Sequence, residues 1–217
     1  MADDDSRQGV RYADAAIVAW VDGLHARLDP ALKLAFEAPT SLGLPAIQVG
    51  PSEGRLLGLF CQLAGVKKAV EVGTLAGFSA LHIARALPAD GHLWTIEIEP
   101  AHAAAAEVNL AAAGLSGRAT VVLGSGQAAL PGLEAHGPFD LVFIDADKEG
   151  YDFYGRWAAR NLRPGGLLIA DNAYLFGHLL DDSPVAAAVR RLHEEAALAF
   201  DTVCIPTPDG LLLGIKK

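Results

Sequence analysis

The sequence predicts an α/β fold, a mainly parallel sheet with helices on both faces. Three observations carry this. From about residue 66 onward, short β-prone apolar runs alternate with Ala-rich segments of helical period, the signature of repeated βα units. Several runs end abruptly in Gly or an acid (Val72-Gly73, Ile96-Glu97, Ile144-Asp145, Ala170-Asp171), as strands do where they release the chain at one sheet edge. The last two runs have only Pro206 to Gly210 between them, so they form a hairpin and turn the end of the sheet antiparallel.

The elements follow in order. Ile17, Val18, Val21, Leu24 and Leu28 recur at helical spacing, predicting a helix from Tyr12 to about Leu28 that stops before Pro30. A short helix is expected over 31–38. Pro39, Gly43, Pro45 and Gly50 then make 39–50 a loop or broken element. Pro51-Ser52-Glu53 opens a helix to about Ala64. Strands are expected at 68–72, 92–96, 119–123, 141–144, 166–170, 202–205 and 211–215. Helices are expected at 79–87, 101–113, 127–134, 151–161 and 185–199. Residues 1–9 read as a frayed tail in which Asp3 to Asp5 are solvated. Residues 1–65 read as a helical cap on one α/β core at 66–217, a single domain over 1–217 with no repeat or low-complexity linker.

Composition narrows the function. With 52% hydrophobic and 20% charged residues, the chain can bury a full core and is not largely disordered. The formal charge of −9, with no Lys/Arg cluster, argues against phosphate-rich partners and anionic lipid surfaces. There is no run of about 18 apolar residues and no basic leader, so a cytoplasmic protein without a membrane span is expected. Cys61 and Cys204 form no metal-finger or redox spacing and read as two free thiols.

Two constellations carry chemistry. The first is Val70-Glu71-Val72-Gly73-Thr74-Leu75-Ala76-Gly77-Phe78-Ser79, a strand entering a glycine turn before a helix. Glu97 ends the next strand, about 20 residues on, where an acid can accept both hydroxyls of a ribose. Leu75 stands where the dinucleotide pattern wants its second glycine, which argues for a nucleoside ligand without a pyrophosphate. The second is the pair of strand ends Ile144-Asp145-Ala146-Asp147-Lys148 and Ala170-Asp171-Asn172. If these strands are neighbours, Asp145, Asp171 and Asn172 converge at the edge that carries the glycine loop. Two carboxylates and an amide oxygen suit Mg²⁺, Mn²⁺ or Ca²⁺ and leave positions open for a chelating substrate. Lys148 points back into the same site, and a lysine beside a divalent cation favours its neutral form, a usable base. Strand-end acids also cap helices, so neither strand end alone is decisive.

Together these residues resemble the cation-dependent small S-adenosylmethionine (SAM) O-methyltransferases, the class of the caffeoyl-CoA, catechol and many bacterial enzymes. The likeness runs from Gln48-Val49-Gly50-Pro51 through Glu71-Val72-Gly73, Thr95-Ile96-Glu97-Ile98, Asp145-Ala146-Asp147-Lys148 with Tyr151, Leu162-Arg163-Pro164-Gly165-Gly166 and Asp171-Asn172 to Asp209-Gly210-Leu211. The resemblance implies a Rossmann-like seven-stranded sheet of order 3-2-1-4-5-7-6 with strand 7 antiparallel. It implies SAM contacts from Val49, Glu71, Gly73, Ser79 and Asp145 around the methionine part, from Glu97 at the ribose, and from Gly126 and Gln127 at the adenine edge. It implies Asp145, Asp171 and Asn172 as ligands of a divalent cation, most simply Mg²⁺, with Lys148 as base and Asp145 beside it in catalysis. The reaction would be methyl transfer to one hydroxyl of a vicinal dihydroxy aromatic small molecule, by a homodimeric enzyme that uses neither nucleic acid nor membrane. Tyr151, Tyr154, Tyr174 and Phe176 are expected as aromatic walls or as packing, and the seven histidines are given no chemistry. An NAD(P)-dependent oxidoreductase shares the glycine-loop arrangement, but no tyrosine has a lysine four residues later. A methyltransferase of nitrogen or of a non-catechol acceptor is a further alternative, and a non-catalytic module that keeps the cofactor fold is another.

Overall fold

The computed structural model describes residues 13–217; the expected N-terminal tail lies outside the described residues. Three helices come first: α1 (Ala15–His25), α2 (Pro30–Leu42) and α3 (Pro51–Ala64). The alternating part follows as β1 (Lys68–Val72), α4 (Phe78–Ala86), β2 (His92–Glu97), α5 (Pro100–Ala112), β3 (Ala119–Leu123), α6 (Gly126–Leu133), β4 (Phe139–Ile144), α7 (Tyr151–Asn161), β5 (Leu162–Ala170), α8 (Pro184–Ala199), β6 (Phe200–Ile205) and β7 (Leu211–Lys216). The sheet order is β3-β2-β1-β4-β5-β7-β6, with only β7 antiparallel to its two neighbours, as expected from the family resemblance.

Local chemistry sets the helix ends. Asp14 and Asp29 each accept two backbone N–H bonds at the starts of α1 and α2, and Ser125 and Ser183 each accept one at α6 and α8. Pro occupies the first turn of α2, α3, α5 and α8, where its missing N–H costs nothing. Several ends shift by one to three residues, and two boundaries differ by four. Helix α2 runs through Pro39 to Leu42, where Ala38 is buried in a small cluster with Ala76 and Ala105 that holds this turn against the core. Strand β5 starts at Leu162, not at 166. Its pairing with β4 jumps from Phe139↔Leu162 to Leu141↔Leu167, a bulge over Arg163–Gly166 that Arg163 secures by donating to Asp140 Oδ1 at 2.5 Å.

Alternate residues of each central strand face opposite layers. Val70, Val72, Val142, Ile144, Leu168 and Ala170 pack with Leu130, Tyr154, Trp157 and Leu192 of α6, α7 and α8. Ala69, Leu141, Phe143 and Ile169 pack with Leu81 and Ile83 of α4, and with Leu32 of α2 and Leu57 and Cys61 of α3. Helices α2 and α3 therefore share the core of one sheet face, whereas α1 buries none of its residues. Burial pushes the Cys61 thiol up to about 12, leaving it a protonated core residue. No described helix is long and apolar enough to cross a membrane.

Candidate active site

Four backbone hydrogen bonds register the carboxyl edge of the sheet. Gly124 N donates to Glu97 O (2.8 Å), Gly73 N to Ile96 O (3.0 Å), Asp145 N to Val72 O (2.8 Å) and Asp171 N to Ile144 O (3.0 Å). Each strand thus fixes where its neighbour's first loop residue leaves the sheet, and one rigid row carries every loop of the site. A cleft of about 740 Å³ opens along this row, large enough for a nucleoside and a small acceptor. Val49, Gly73, Ser79, Glu97, Gly126, Gln127, Asp145, Lys148 and Asn172 all line it.

In the glycine turn, Gly73 has φ +100°, and a Cβ there would sit 1.9 Å from Asp145 O. Glycine is needed here because β4's exit crosses the turn at contact distance. Glu97 is held from below. Its Oε2 accepts from Leu75 N (2.7 Å) and Thr74 N (3.2 Å), and its Oε1 accepts from Glu99 N (2.9 Å). The carboxylate is thereby fixed in one orientation towards the cleft. His102 also lines the cleft, with Nδ1 3.5 Å from Glu97 Oε1. It is a site residue missed in the sequence; its place five residues after the strand-end acid, in the first turn of α5, was the available signal.

Glu71 does not reach the cleft surface. It is fully buried, accepts from Thr95 Oγ1 at 2.5 Å, and leaves Oε1 without a partner among the described residues. Burial pushes its carboxyl up to about 8, opposed by the nearby Ser79 and Thr95 hydroxyls and reinforced by the charges of Asp145 and Glu97. Ser79, near Glu71, does line the cleft.

At the other end, Lys148 Nζ donates to Asp145 Oδ1 (3.1 Å) and to the Tyr151 hydroxyl (2.7 Å), which in turn donates to Asp171 O (3.1 Å). Tyr151 is fully buried, so of the four aromatics considered it is a tether for Lys148 and not a wall. Tyr154 and Phe176 line the cleft, and Tyr154 donates to Asp147 at 2.6 Å. Asn172 adopts φ +50° at the strand end, a conformation asparagine tolerates. Asp171 is nearly buried, and its carboxyl is pushed up to about 7, first by burial and then by the charge of Asp145. Among the described residues no three His, Cys, Asp or Glu side chains form a metal cluster. The donors in question are two carboxylates and an amide. These are hard oxygen donors of the kind a divalent cation takes; Asp145 and Asn172 line the cleft, whereas Asp171 is buried and is not among the residues that line it.

Comparison with known proteins places the chain. The family model described as O-methyltransferase matches residues 25–217. The chain belongs to this O-methyltransferase family. It is 40% identical to the catechol O-methyltransferase of Niastella koreensis over 87% of this chain and 86% of that protein. It is 41% identical to the catechol O-methyltransferase of Mycobacterium tuberculosis over 92% and 94% respectively. Among solved structures it superposes on the O-methyltransferase TomG of Streptomyces achromogenes in complex with SAM, with a TM-score of 0.89 and 33% identity, covering 93% of this chain and 96% of that one. An O-methyltransferase from Bacillus cereus in complex with S-adenosylhomocysteine gives a TM-score of 0.89 at 31% identity, covering 93% and 97%. The protein is a SAM-dependent O-methyltransferase. The oxidoreductase alternative is thereby set aside.

Proposed function

We propose that this O-methyltransferase transfers the methyl group of SAM to one hydroxyl of a vicinal dihydroxy aromatic small molecule, with a divalent cation at Asp145, Asp171 and Asn172. The observation that carries the reading is the meeting, in one cleft, of the Glu97-bearing cofactor loop with Asp145, Asn172 and Lys148. The names of the two catechol O-methyltransferase relatives support the acceptor class. The whole chain, 1–217, is read as one such domain.

In this reading Glu97 takes the ribose hydroxyls, Gly126 and Gln127 border the adenine, and Val49, Gly73 and Ser79 surround the methionine end. Glu71 acts from beneath, through Ser79. A free phenol has a pKa of about 10 and is a poor nucleophile at neutral pH. When bound, Mg²⁺ or a similar cation supplies Lewis acidity to the two vicinal oxygens of the acceptor. Lys148 Nζ receives the proton of the attacking hydroxyl, and its bonds to Asp145 and Tyr151 fix where that amine stands. The rigid strand edge aligns oxygen and sulfonium methyl for in-line transfer, so positioning supplies most of what the protein adds. The same reading takes the enzyme as cytoplasmic and homodimeric. Ile17, Val18, Trp20 and Leu24, all exposed on α1, supply apolar surface for the second copy.

The test is transfer of labelled methyl from SAM to a panel of diphenols, with each metal in turn. Activity is expected with Mg²⁺, to vanish with chelator and to return on re-addition. Asp145→Ala is expected to abolish turnover while calorimetry still shows SAM binding. Full activity after exhaustive chelation would remove the metal from the reading.

A further inference from the structure

The loop after β5 is strained in a way the cofactor site does not require. Asn172, Leu175 and Phe176 have φ of +50°, +50° and +53°, and neither leucine nor phenylalanine adopts this region readily. Such conformations persist only where the surroundings over-determine them. Here the surroundings are the β6–β7 turn. Ala173 N donates to Gly210 O (3.0 Å), Tyr174 N to Asp209 O (2.9 Å) and Phe176 N to Asp209 Oδ1 (2.7 Å). The Tyr174 ring lies flat on Gly210, where a Cβ would come within 2.9 Å of it. The other oxygen of Asp209 is buried without a hydrogen-bond partner among the described residues, so the carboxylate is kept at this turn against its own preference for water.

The outcome of the clamp is the place of one side chain. Phe176 is 66% exposed, yet it lines the cleft beside Asn172 and Lys148. A large apolar ring held open at a binding cleft gains its burial only when an apolar ligand face covers it. We propose that Asp209 is a positioning residue that acts through the Phe176 backbone amide to hold the phenyl ring as a wall for the acceptor, so that the enzyme selects acceptors with a flat aromatic face. The acceptor half of this inference rests on the proposed function; the clamp does not.

Two measurements on the full chain test it. Amide exchange by NMR reads the clamp: Phe176 N–H is expected to be protected, to exchange at least about ten-fold faster in Asp209→Ala, and to recover in Asp209→Asn, which keeps an oxygen acceptor. Steady-state kinetics read the wall. Phe176→Ala is expected to raise KM for catechol about ten-fold. Its kcat and its KM for SAM should stay within about two-fold of wild type. Asp209→Ala should do the same, and the double variant should be no worse than Phe176→Ala alone, because the two act as one unit. Additive effects, unchanged exchange at Phe176, or an equal loss of SAM affinity would each overturn the proposal. A wild-type enzyme that methylates no diphenol would remove the proposed substrate class and the acceptor half with it, and the exchange arm would still decide the clamp.

Discussion

Replacing Glu71 with glutamine should make the ligand-free protein more stable at neutral pH, although Glu71 is a residue of the cofactor loop. Its carboxyl is raised by burial from an ordinary 4.5 to about 8, so the folded state holds a proton that the unfolded state releases earlier. The sign follows: the stability tied to that proton is complete below pH 4.5 and is lost as the pH rises through about 8. Each pH unit in the window is worth about 1.4 kcal/mol, so from 4.5 to 7 wild type loses about 3 kcal/mol through this one group. Glutamine is isosteric, neutral at every pH and still offers an oxygen to Thr95, so the variant does not carry this loss. Urea unfolding at a series of pH values, without SAM, measures the difference directly. Wild type and Glu71→Gln should agree to within about 1 kcal/mol at pH 4.5 and diverge to about 3 kcal/mol in favour of the variant at pH 7. Subtracting the two curves cancels other titrating groups, Asp171 among them. Parallel curves from pH 4.5 to 8 would refute the argument, because they would mean that Glu71 folds as a compensated carboxylate.

Two further outcomes follow from the geometry. Gly73→Ala places a methyl 1.9 Å from Asp145 O at φ +100°, so it should cost about 3 kcal/mol or more and remove SAM binding together with stability; a soluble variant with unchanged melting and unchanged calorimetric affinity would contradict the contact. His82, packed between Gly54 and the ring of Phe78, is lowered from 6.5 to about 4 by burial, and its contribution to stability is present above pH 6.5 and lost as the pH falls through about 4. His82→Leu should therefore flatten the acid limb of the stability curve by about 3 kcal/mol over that window, whatever its effect at pH 7; an acid limb as steep as wild type would place the origin elsewhere.

The strand ends were legible because a parallel sheet must release its strands at one edge, and the residues released there (Gly73, Glu97, Asp145, Asp171, Asn172) differ sharply from the apolar runs before them. The hairpin was legible from the short link between 205 and 211. What stayed hidden depends on neighbours far away in the chain. Nothing local marks Glu71 as fully buried below the cleft, or Gly73 as facing the backbone carbonyl of Asp145 just after β4. Where α2 passes through Pro39, the distant Ala76 and Ala105 pack against Ala38. Tyr151 and Phe176 are both aromatic and both close to the motif acids, but one is a buried tether and the other an exposed wall; only the fold separates them.

The contact between Gly73 and the Asp145 carbonyl has a consequence for how such an enzyme can change. It joins the cofactor turn to the exit of β4 at backbone contact distance, so any side chain at residue 73 would displace that exit, and the two ends of the cleft cannot shift independently of each other. A change of acceptor that leaves this joint undisturbed would draw on parts outside it, the loop that carries Phe176 and the β6–β7 turn that clamps it.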